Sequence, residues 1–261
     1  MSIEISIIVA TYNSGKTLSK CLRSIINQKC SSVELIVIDG QSTDETIDIL
    51  EGFEEYIDHV ISEVDEGIYD AWNKGIDQAR GNWFMFVGSD DQLRTGCIKG
   101  YMQQIACNND YDFISGRIML VNNFGDELRE FGGPYDWRIF KRHMNLAHVS
   151  SLHNRRLYHS YGNYNINYKI CGDYEFLLRP KENLKVKFVD KLFANMAIGG
   201  ISFGSFDALR EARNAKLLHK VNKPSIIWLQ YFVSFLRLRL KRILYYGKLF
   251  GYNKYLNTGS D

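Results

Sequence analysis

Five consecutive apolar residues, Trp83-Phe84-Met85-Phe86-Val87, stand between Gly81 and Gly88 and are followed at once by Ser89-Asp90-Asp91. The run is too short for an independent helix, and its glycine flanks mark a strand buried on both faces. Such strands belong to parallel sheets covered by helices, which excludes most other architectures. Gly88 permits a sharp turn, so Asp90 and Asp91 fall just past the strand's carboxyl end, where open α/β sheets bind ligands. Adjacent carboxylates repel each other unless a cation or donors neutralise them. Hard divalent cations such as Mg²⁺ and Mn²⁺ take carboxylate oxygens and leave positions for substrate phosphates. A solvated turn would also accept Asp, and the rest of the chain decides between the two.

Upstream, strand and helix patterns alternate. Ile3 to Ala10 is a β-branched run ending in the polar loop Thr11-Tyr12-Asn13-Ser14-Gly15. Leu18, Leu22, Ile25 and Ile26 recur at helical spacing, Val33 to Ile38 is a second strand, and Asp39-Gly40 closes it. Ser42-Thr43-Asp44-Glu45 has capping-box form ahead of a second helix through Phe53. Ile57 to Ser62 reads as a third strand, and Ile68 to Ala79 as a helix that begins beneath Asp65 and Glu66, where the macrodipole favours negative charge. This is the pattern of βαβ units. Neither Gly-x-Gly-x-x-Gly after the first strand nor a P-loop is present, so those phosphate cradles are not supported.

Beyond Asp91 the elements shorten. A helix is expected from Ile98 to Ala106, strands at Phe113–Ser115, Ile118–Val121 and His148–Leu152, and a short helix at Asn154–His159. The Tyr- and Asn-rich stretch Tyr158 to Tyr168 reads as a mobile loop. Gly172-Asp173-Tyr174-Glu175 opens a helix with acids in its first turn, stopped at Pro180. Strands at Val186–Val189 and Phe193–Ala197, a flexible link at Gly199-Gly200-Ile201-Ser202 and a helix from Leu209 to Val221 complete the body.

Four of these stretches, Ile7 to Asn13, Val37 to Asp44, Ser89-Asp90-Asp91 and Gly172 to Glu175, occur in an order that resembles the inverting family 2 glycosyltransferases of GT-A fold. Asp65 to Gly75 is similar to the branch that builds bacterial O-antigen and exopolysaccharide repeat units, and the resemblance runs from Ile3 to Ser202. It implies an α/β fold with a mainly parallel central sheet flanked by helices. It divides the chain into a catalytic domain over 1–204, with a nucleotide-binding half (1–91) and an acceptor half (92–204), and a basic helical appendage over 205–261. It further implies that Thr11 and Tyr12 line the base pocket, that Asn13 belongs to the nucleotide-sugar site, that Asp39 faces the uracil N–H, that Asp90 meets the ribose or metal shell, and that Asp91 ligates Mn²⁺ or Mg²⁺. Asp173 matches the catalytic base. Asn73 and Lys74 are candidates for the diphosphate, and His148, Glu175 and Arg179 for the acceptor or diphosphate. The chain departs from the family pattern at Ser89, where a first Asp is common, and at Gly172, where Glu is usual. Arg179 also stands one turn after Glu175 and could simply pair with it.

Charge separates the tail from the body. From Ala212 to Ser260 there is no acid and there are ten Lys and Arg, leaving 22 basic against 29 acidic residues in the first 211 and a net charge there of −7. Ile226 to Leu236 is apolar except for Gln230 and Ser234, short of the ~20 residues that span a bilayer. With Arg237, Arg239, Lys241 and Arg242 behind it, the segment suits a helix lying in a membrane interface, or one packed on the body or in a homodimer. Nothing in the body suggests a nucleic-acid partner. The five cysteines are scattered, with no C-x-x-C pair, and no leader precedes the first strand, which suits a reducing cytosol. The expectation is a metal-dependent transferase moving one sugar, from UDP, onto a lipid-diphosphate-linked saccharide at the inner face of the cell membrane. A nucleotidyltransferase with a similar βαβ start, and an inactive GT-A domain that binds a partner, are the alternatives.

Overall fold

Strands β1 (Ile5–Thr11), β2 (Val33–Asp39), β3 (His59–Ser62) and β4 (Trp83–Gly88) alternate with helices α1 (Leu18–Ile26), α2 (Thr46–Gly52) and α3 (Ile68–Gln78). They come from a computed structural model that describes residues 2–107, 110–122, 124–198 and 205–256, with side chains through Ile243. Then follow β5 (Gln92–Leu93), α4 (Cys97–Cys107), β6 (Phe113–Val121), β7 (Glu127–Phe131), α5 (Trp137–Phe140), β8 (Leu152–Asn154), α6 (Arg155–Tyr161), α7 (Gly172–Leu178), β9 (Val186–Ala197), α8 (Phe206–Leu218) and α9 (Pro224–Leu256). One sheet runs β3-β2-β1-β4-β8-β6-β9-β5, with β7 beside β6. Its first four strands are mutually parallel, and beyond β4 the pairing is mixed.

Every residue of β1 and β2 is buried, as a strand covered on both faces requires. One face packs on α1 through Leu18, Cys21, Leu22 and Ile25. The other meets α3, where Gly75 lets the helix approach so closely that a methyl group there would lie 2.4 Å from Ile8 Cγ2. A charge is built into the sheet far from the carboxyl edge. Glu34 accepts from Ser6 Oγ at 2.6 Å and from Arg80 N–H and Nε, and these bonds hold its carboxyl below the ordinary value although burial pushes it up.

Several local expectations are corrected. Ser42 does not cap α2: its hydroxyl donates to Asp39, and Asp44 Oδ1 accepts the Thr46 N–H at 3.1 Å instead. The two short strands expected on either side of Gly116 are one strand, β6, and the two expected near Val186 and Phe193 are one strand, β9. The paired strands change register around Gly116, where the Phe193 ring occupies the space a side chain would need. The strand expected at His148 begins only at Leu152, because Ser150 takes a positive φ of 64° and Ser151 N–H turns back to the His148 carbonyl. The link Gly199 to Ser202 lies outside the described residues, as do the side chains of Tyr245, Tyr246, Lys248 and Lys254.

Candidate functional site

Parallel register brings the expected residues to one edge. Thr11 lies opposite Asp39, Asp39 opposite Ser62, and Ala10 opposite Gly88. The loops after β1 and β2 are stitched together. Asn13 N–H donates to Ser42 Oγ at 2.8 Å, Thr43 N–H to Asn13 Oδ1 at 2.9 Å, and Ser14 N–H to Thr46 Oγ1 at 2.8 Å. Asn13, with φ of 47°, is therefore a fastener of this loop pair. Asp39 is fully buried and accepts from the hydroxyls of Ser42 and Ser62. Above it Tyr12 is 63% exposed, its ring open to stack on a planar ligand. Thr11 Oγ1 is buried and finds no partner among the described residues. Asp65, read in the sequence only as a helix-terminal acid, reaches Gly40. A methyl group at Gly40 would lie 2.6 Å from Asp65 Oδ2 and 3.3 Å from the Tyr12 ring.

The acids after β4 converge. A methyl group at Gly88 would lie 2.9 Å from Asp91 Oδ2 and 3.0 Å from Asp90 Oδ1, so both carboxylates aim oxygens into one small space. Asp91 is 5% exposed and accepts the Ala197 N–H at 3.1 Å. Burial, and then the neighbouring Asp90, push its carboxyl well above the usual range, and burial also raises Asp90. Neither acid is paired with a Lys, Arg or His among the described residues. A divalent cation fits this arrangement, since it would remove the repulsion and the desolvation together. The described residues hold no group of three or more His, Cys, Asp or Glu that could bind a metal, so among them this edge offers the two carboxylates of Asp90 and Asp91. Substrate oxygens would complete such a shell, as is usual for Mg²⁺.

Beside these acids opens a cavity of about 720 Å³, lined by Asp90, Asp91, Asp173, Trp72 and His148 and closed by residues of α8 and α9. Asp173 is half-buried in the first turn of α7. Its Oδ1 accepts the Tyr174 N–H at 2.8 Å and lies 3.1 Å from the Tyr69 hydroxyl, and no cation pairs with it among the described residues. Tyr69 also explains the glycine before it. A methyl group at Gly172 would lie 2.8 Å from the Tyr69 ring, so a Glu there is incompatible with this packing. His148 lines the cavity, stacks on Trp72 with centroids 5.0 Å apart and bonds the Tyr164 hydroxyl at 3.2 Å. Burial lowers its affinity for a proton, which Asp173 partly offsets.

Other candidates are committed elsewhere. Asn73 donates to the Tyr164 carbonyl and accepts the Tyr164 N–H, both at 2.9 Å. Its amide thus pins the stretch expected to be mobile, and Tyr158, Tyr164 and Tyr168 are all buried. Lys74 donates to the Val64 carbonyl and pairs with Glu63 and Asp70, which leaves it on the flank of α3. Glu175 is 2% exposed and carries Arg179 through two bonds, at 3.1 and 2.6 Å, with His219 at 2.6 Å. Burial raises the Glu175 carboxyl, but these bonds outweigh it and hold the group below the ordinary value. Glu175 and Arg179 are a buried structural pair rather than cavity groups.

The tail contributes to the site. Glu211 on α8 accepts the backbone N–H groups of Lys169, Ile170 and Cys171 at 2.8–3.0 Å, which fixes the approach to Asp173. Ile227, Tyr231 and Ser234 of α9 form part of the cavity wall. Nothing local in the sequence announces these contacts. Tyr69 was within reach of sequence reading, since it lies in the same stretch as Asn73.

The sheet and its helices are those of GT-A glycosyltransferases. The crystal structure of S. aureus TarS residues 1–349 in complex with UDP-GlcNAc shares this fold with a TM-score of 0.65 at 20% identity, covering 92% of this chain and 73% of that one. Residues 6–177 match the family described as Glycosyl transferase family 2, and the chain belongs to that family. A PGL/p-HBAD biosynthesis glycosyltransferase of Mycobacterium tuberculosis is 35% identical over 209 residues, 76% of this chain and 78% of that protein. A GalNAc(5)-diNAcBac-PP-undecaprenol beta-1,3-glucosyltransferase of Campylobacter jejuni is 31% identical over 154 residues, 56% of this chain and 49% of that protein.

Proposed function

We propose that this glycosyltransferase is inverting and metal-dependent, and moves a single sugar from a UDP-sugar to a saccharide carried on a lipid diphosphate. The observation that carries the reading is the convergence of Asp90 and Asp91 over Gly88 on the cavity that also holds Asp173, all three without a cationic partner among the described residues. Tyr12 stacks on the base, with Thr11, Asp39 and Asp65 around it. Asp91, with Asp90 beside it, would hold Mn²⁺ or Mg²⁺. When bound, the metal stabilises the negative charge of the leaving nucleoside diphosphate. Asp173 accepts the proton of the acceptor hydroxyl as that oxygen attacks the anomeric carbon from the face opposite the diphosphate. The Tyr174 N–H holds the carboxylate for this task, beside the Tyr69 hydroxyl, whose one proton is shared between Asp173 and the Ile170 carbonyl. Glu175 is unsuited to it, since Arg179 and His219 already occupy its oxygens.

The UDP assignment takes support from the TarS complex with UDP-GlcNAc, and the lipid-linked acceptor from the name of the Campylobacter relative. No helix among the described residues is long and apolar enough to cross a membrane. On α9 the residues Trp228, Leu229, Phe232, Leu236 and Leu240 are exposed, with Arg237, Arg239, Lys241 and Arg242 among them. This composition supports peripheral binding at the inner face of the membrane, in the service of surface polysaccharide synthesis. Thermal unfolding with UDP-GlcNAc, UDP-glucose or GDP-mannose, with and without Mn²⁺, tests the donor. Protection by a UDP-sugar only with metal is expected. Equal protection in excess chelator would remove the metal from the scheme, and an α-linked product from an α-linked donor would remove inversion.

A further inference from the structure

Lys216 on α8 is 7% exposed and lines the cavity. Its ammonium donates to the Arg142 carbonyl and lies 3.5 Å from Gln230 Oε1, and no carboxylate pairs with it among the described residues. An ammonium carries three donors, so at least one is unused. Burying an unpaired cation is costly, and an apolar side chain of similar length would fit this wall at less cost. The cavity carries charges of both signs: the acids Asp90, Asp91 and Asp173 come from the β4 exit and from α7, and Arg142, Arg213 and Lys216, with Lys169 before α7, also line it. The acids near α8 are spent: Glu211 on three backbone N–H groups, and Glu175 on Arg179 and His219. Met144, Leu146, Ile227 and Tyr231 give the same region apolar walls. Along α8, Lys216 stands eight residues past Ala208, whose carbonyl meets Cys171 beside Asp173, or about 12 Å of helix axis.

We propose that the part of the cavity walled by α8 and α9 binds a phosphate ester with an apolar substituent, and that Lys216 is its buried anchor, with Arg142 and Arg213 as neighbouring cations. This rests on the reading of the cavity as the acceptor site, and it assigns the group that orients the acceptor hydroxyl toward Asp173. Burial lowers the Lys216 ammonium to about 8, which the neighbouring Cys171 offsets only in part. His143, also on the cavity wall, is lowered by burial first and then by the nearby Lys216 and Arg142. Near Lys216 stand Arg142 and His143 after α5, Cys171 before α7 and Gln230 on α9, and Arg213 on α8 and Tyr231 on α9 line the same cavity. A bound phosphate would keep the ammonium protonated, so affinity must fall as pH rises past the value of the free protein.

The test measures binding of hexyl phosphate to the full chain by calorimetry in chelator, where no metal can bridge the anion. Lys216→Met should weaken it roughly 10-fold or more, the scale of a charge-assisted hydrogen bond. The wild-type affinity should fall about fivefold between pH 8 and pH 9. Binding of UDP with Mn²⁺ should be the same in both proteins, and its loss from both would instead count against the donor site. Equal affinity of Lys216→Met for hexyl phosphate, or a flat profile over that pH range, overturns the proposal. Inorganic phosphate binding as tightly as hexyl phosphate would remove the apolar walls from it. If the substitution weakens only binding to phosphatidylglycerol vesicles, the cation serves the membrane surface and the subsite is refuted.

Discussion

Asp173 and Glu175 lie two residues apart at the start of α7, and their surroundings require opposite behaviour on neutralisation. Among the described residues the partners of Asp173 are the Tyr69 hydroxyl and the Tyr174 N–H, so Asp173→Asn strands no cation there. Its unfolding free energy should stay within about 0.5 kcal/mol of wild type, as for substitutions away from buried networks. Its transfer rate should drop ~10²–10⁴-fold, the contribution of a positioned base. Glu175→Gln removes the anion shared by Arg179 and His219 at a position 2% exposed. Breaking a buried pair in this way costs ~3–5 kcal/mol, and Arg179 keeps the carbonyls of Tyr161 and Asn163, which favours the lower figure. At about 2–4 °C per kcal/mol for a chain of this size, Tm should fall roughly 6–12 °C. The Glu175 carboxyl is depressed in the folded state, so its stabilisation is present above the unfolded pKa of ~4.3 and is lost as pH falls through the folded value. Glu175→Gln should therefore flatten the acid limb of the stability profile. Circular dichroism melts from pH 3 to 7.5, with transfer assayed where every variant is folded, measure both effects. A Glu175→Gln protein that melts like wild type yet is inactive would transfer the base to Glu175 and refute this assignment.

Asp91→Asn should weaken Mn²⁺-dependent UDP binding at least tenfold by titration calorimetry while leaving the melt intact or raised, since it neutralises a buried carboxyl that the adjacent Asp90 repels. Gly172→Ala places a methyl group 2.8 Å from the Tyr69 ring and should cost ~1–3 kcal/mol in urea unfolding, together with transfer activity, because Tyr69 must move off Asp173. A chain ending at Lys223 should lose binding to anionic vesicles, measured by co-sedimentation, and lose acceptor affinity, because Ile227 and Tyr231 of the cavity wall go with α9. Vesicle binding equal to that of the full chain would assign the exposed face of α9 to another partner.

What could be read from the sequence was what repeats locally. Strands β1, β2 and β4 were visible because burial on both faces leaves a mostly apolar run, whereas β3 at the sheet's edge keeps alternate residues exposed; the carboxyl edge followed from strand direction alone. That edge carried Thr11, Asp39, Asp90 and Asp91 with it. Strand continuity in the second half was less visible. A glycine ordinarily punctuates a strand, yet Gly116 marks only a change of register beneath the Phe193 ring, and the two residues are 77 positions apart. Ser42 had the right spacing for a cap, but the buried Asp39 competes for its hydroxyl.

Charge on a side chain is a poor guide to its role until its partners are known. Lys74, Arg179 and Glu175 have the chemistry of phosphate or acceptor ligands, and each is consumed by an ion pair within the fold. Two of those pairings, Lys74 with Asp70 and Arg179 with Glu175, follow from helical spacing, so the sequence offered the structural role and the functional one with equal force. Lys216 is the opposite case. In the sequence it is one cation among ten in an acid-free tail, which suggests a solvated surface. Only the packing of α8 against the Arg142 carbonyl and Gln230 turns it into a buried charge without an anion. A cation held in that state loses solvation and gains no ion pair, so the missing anion is the natural place to look for the acceptor.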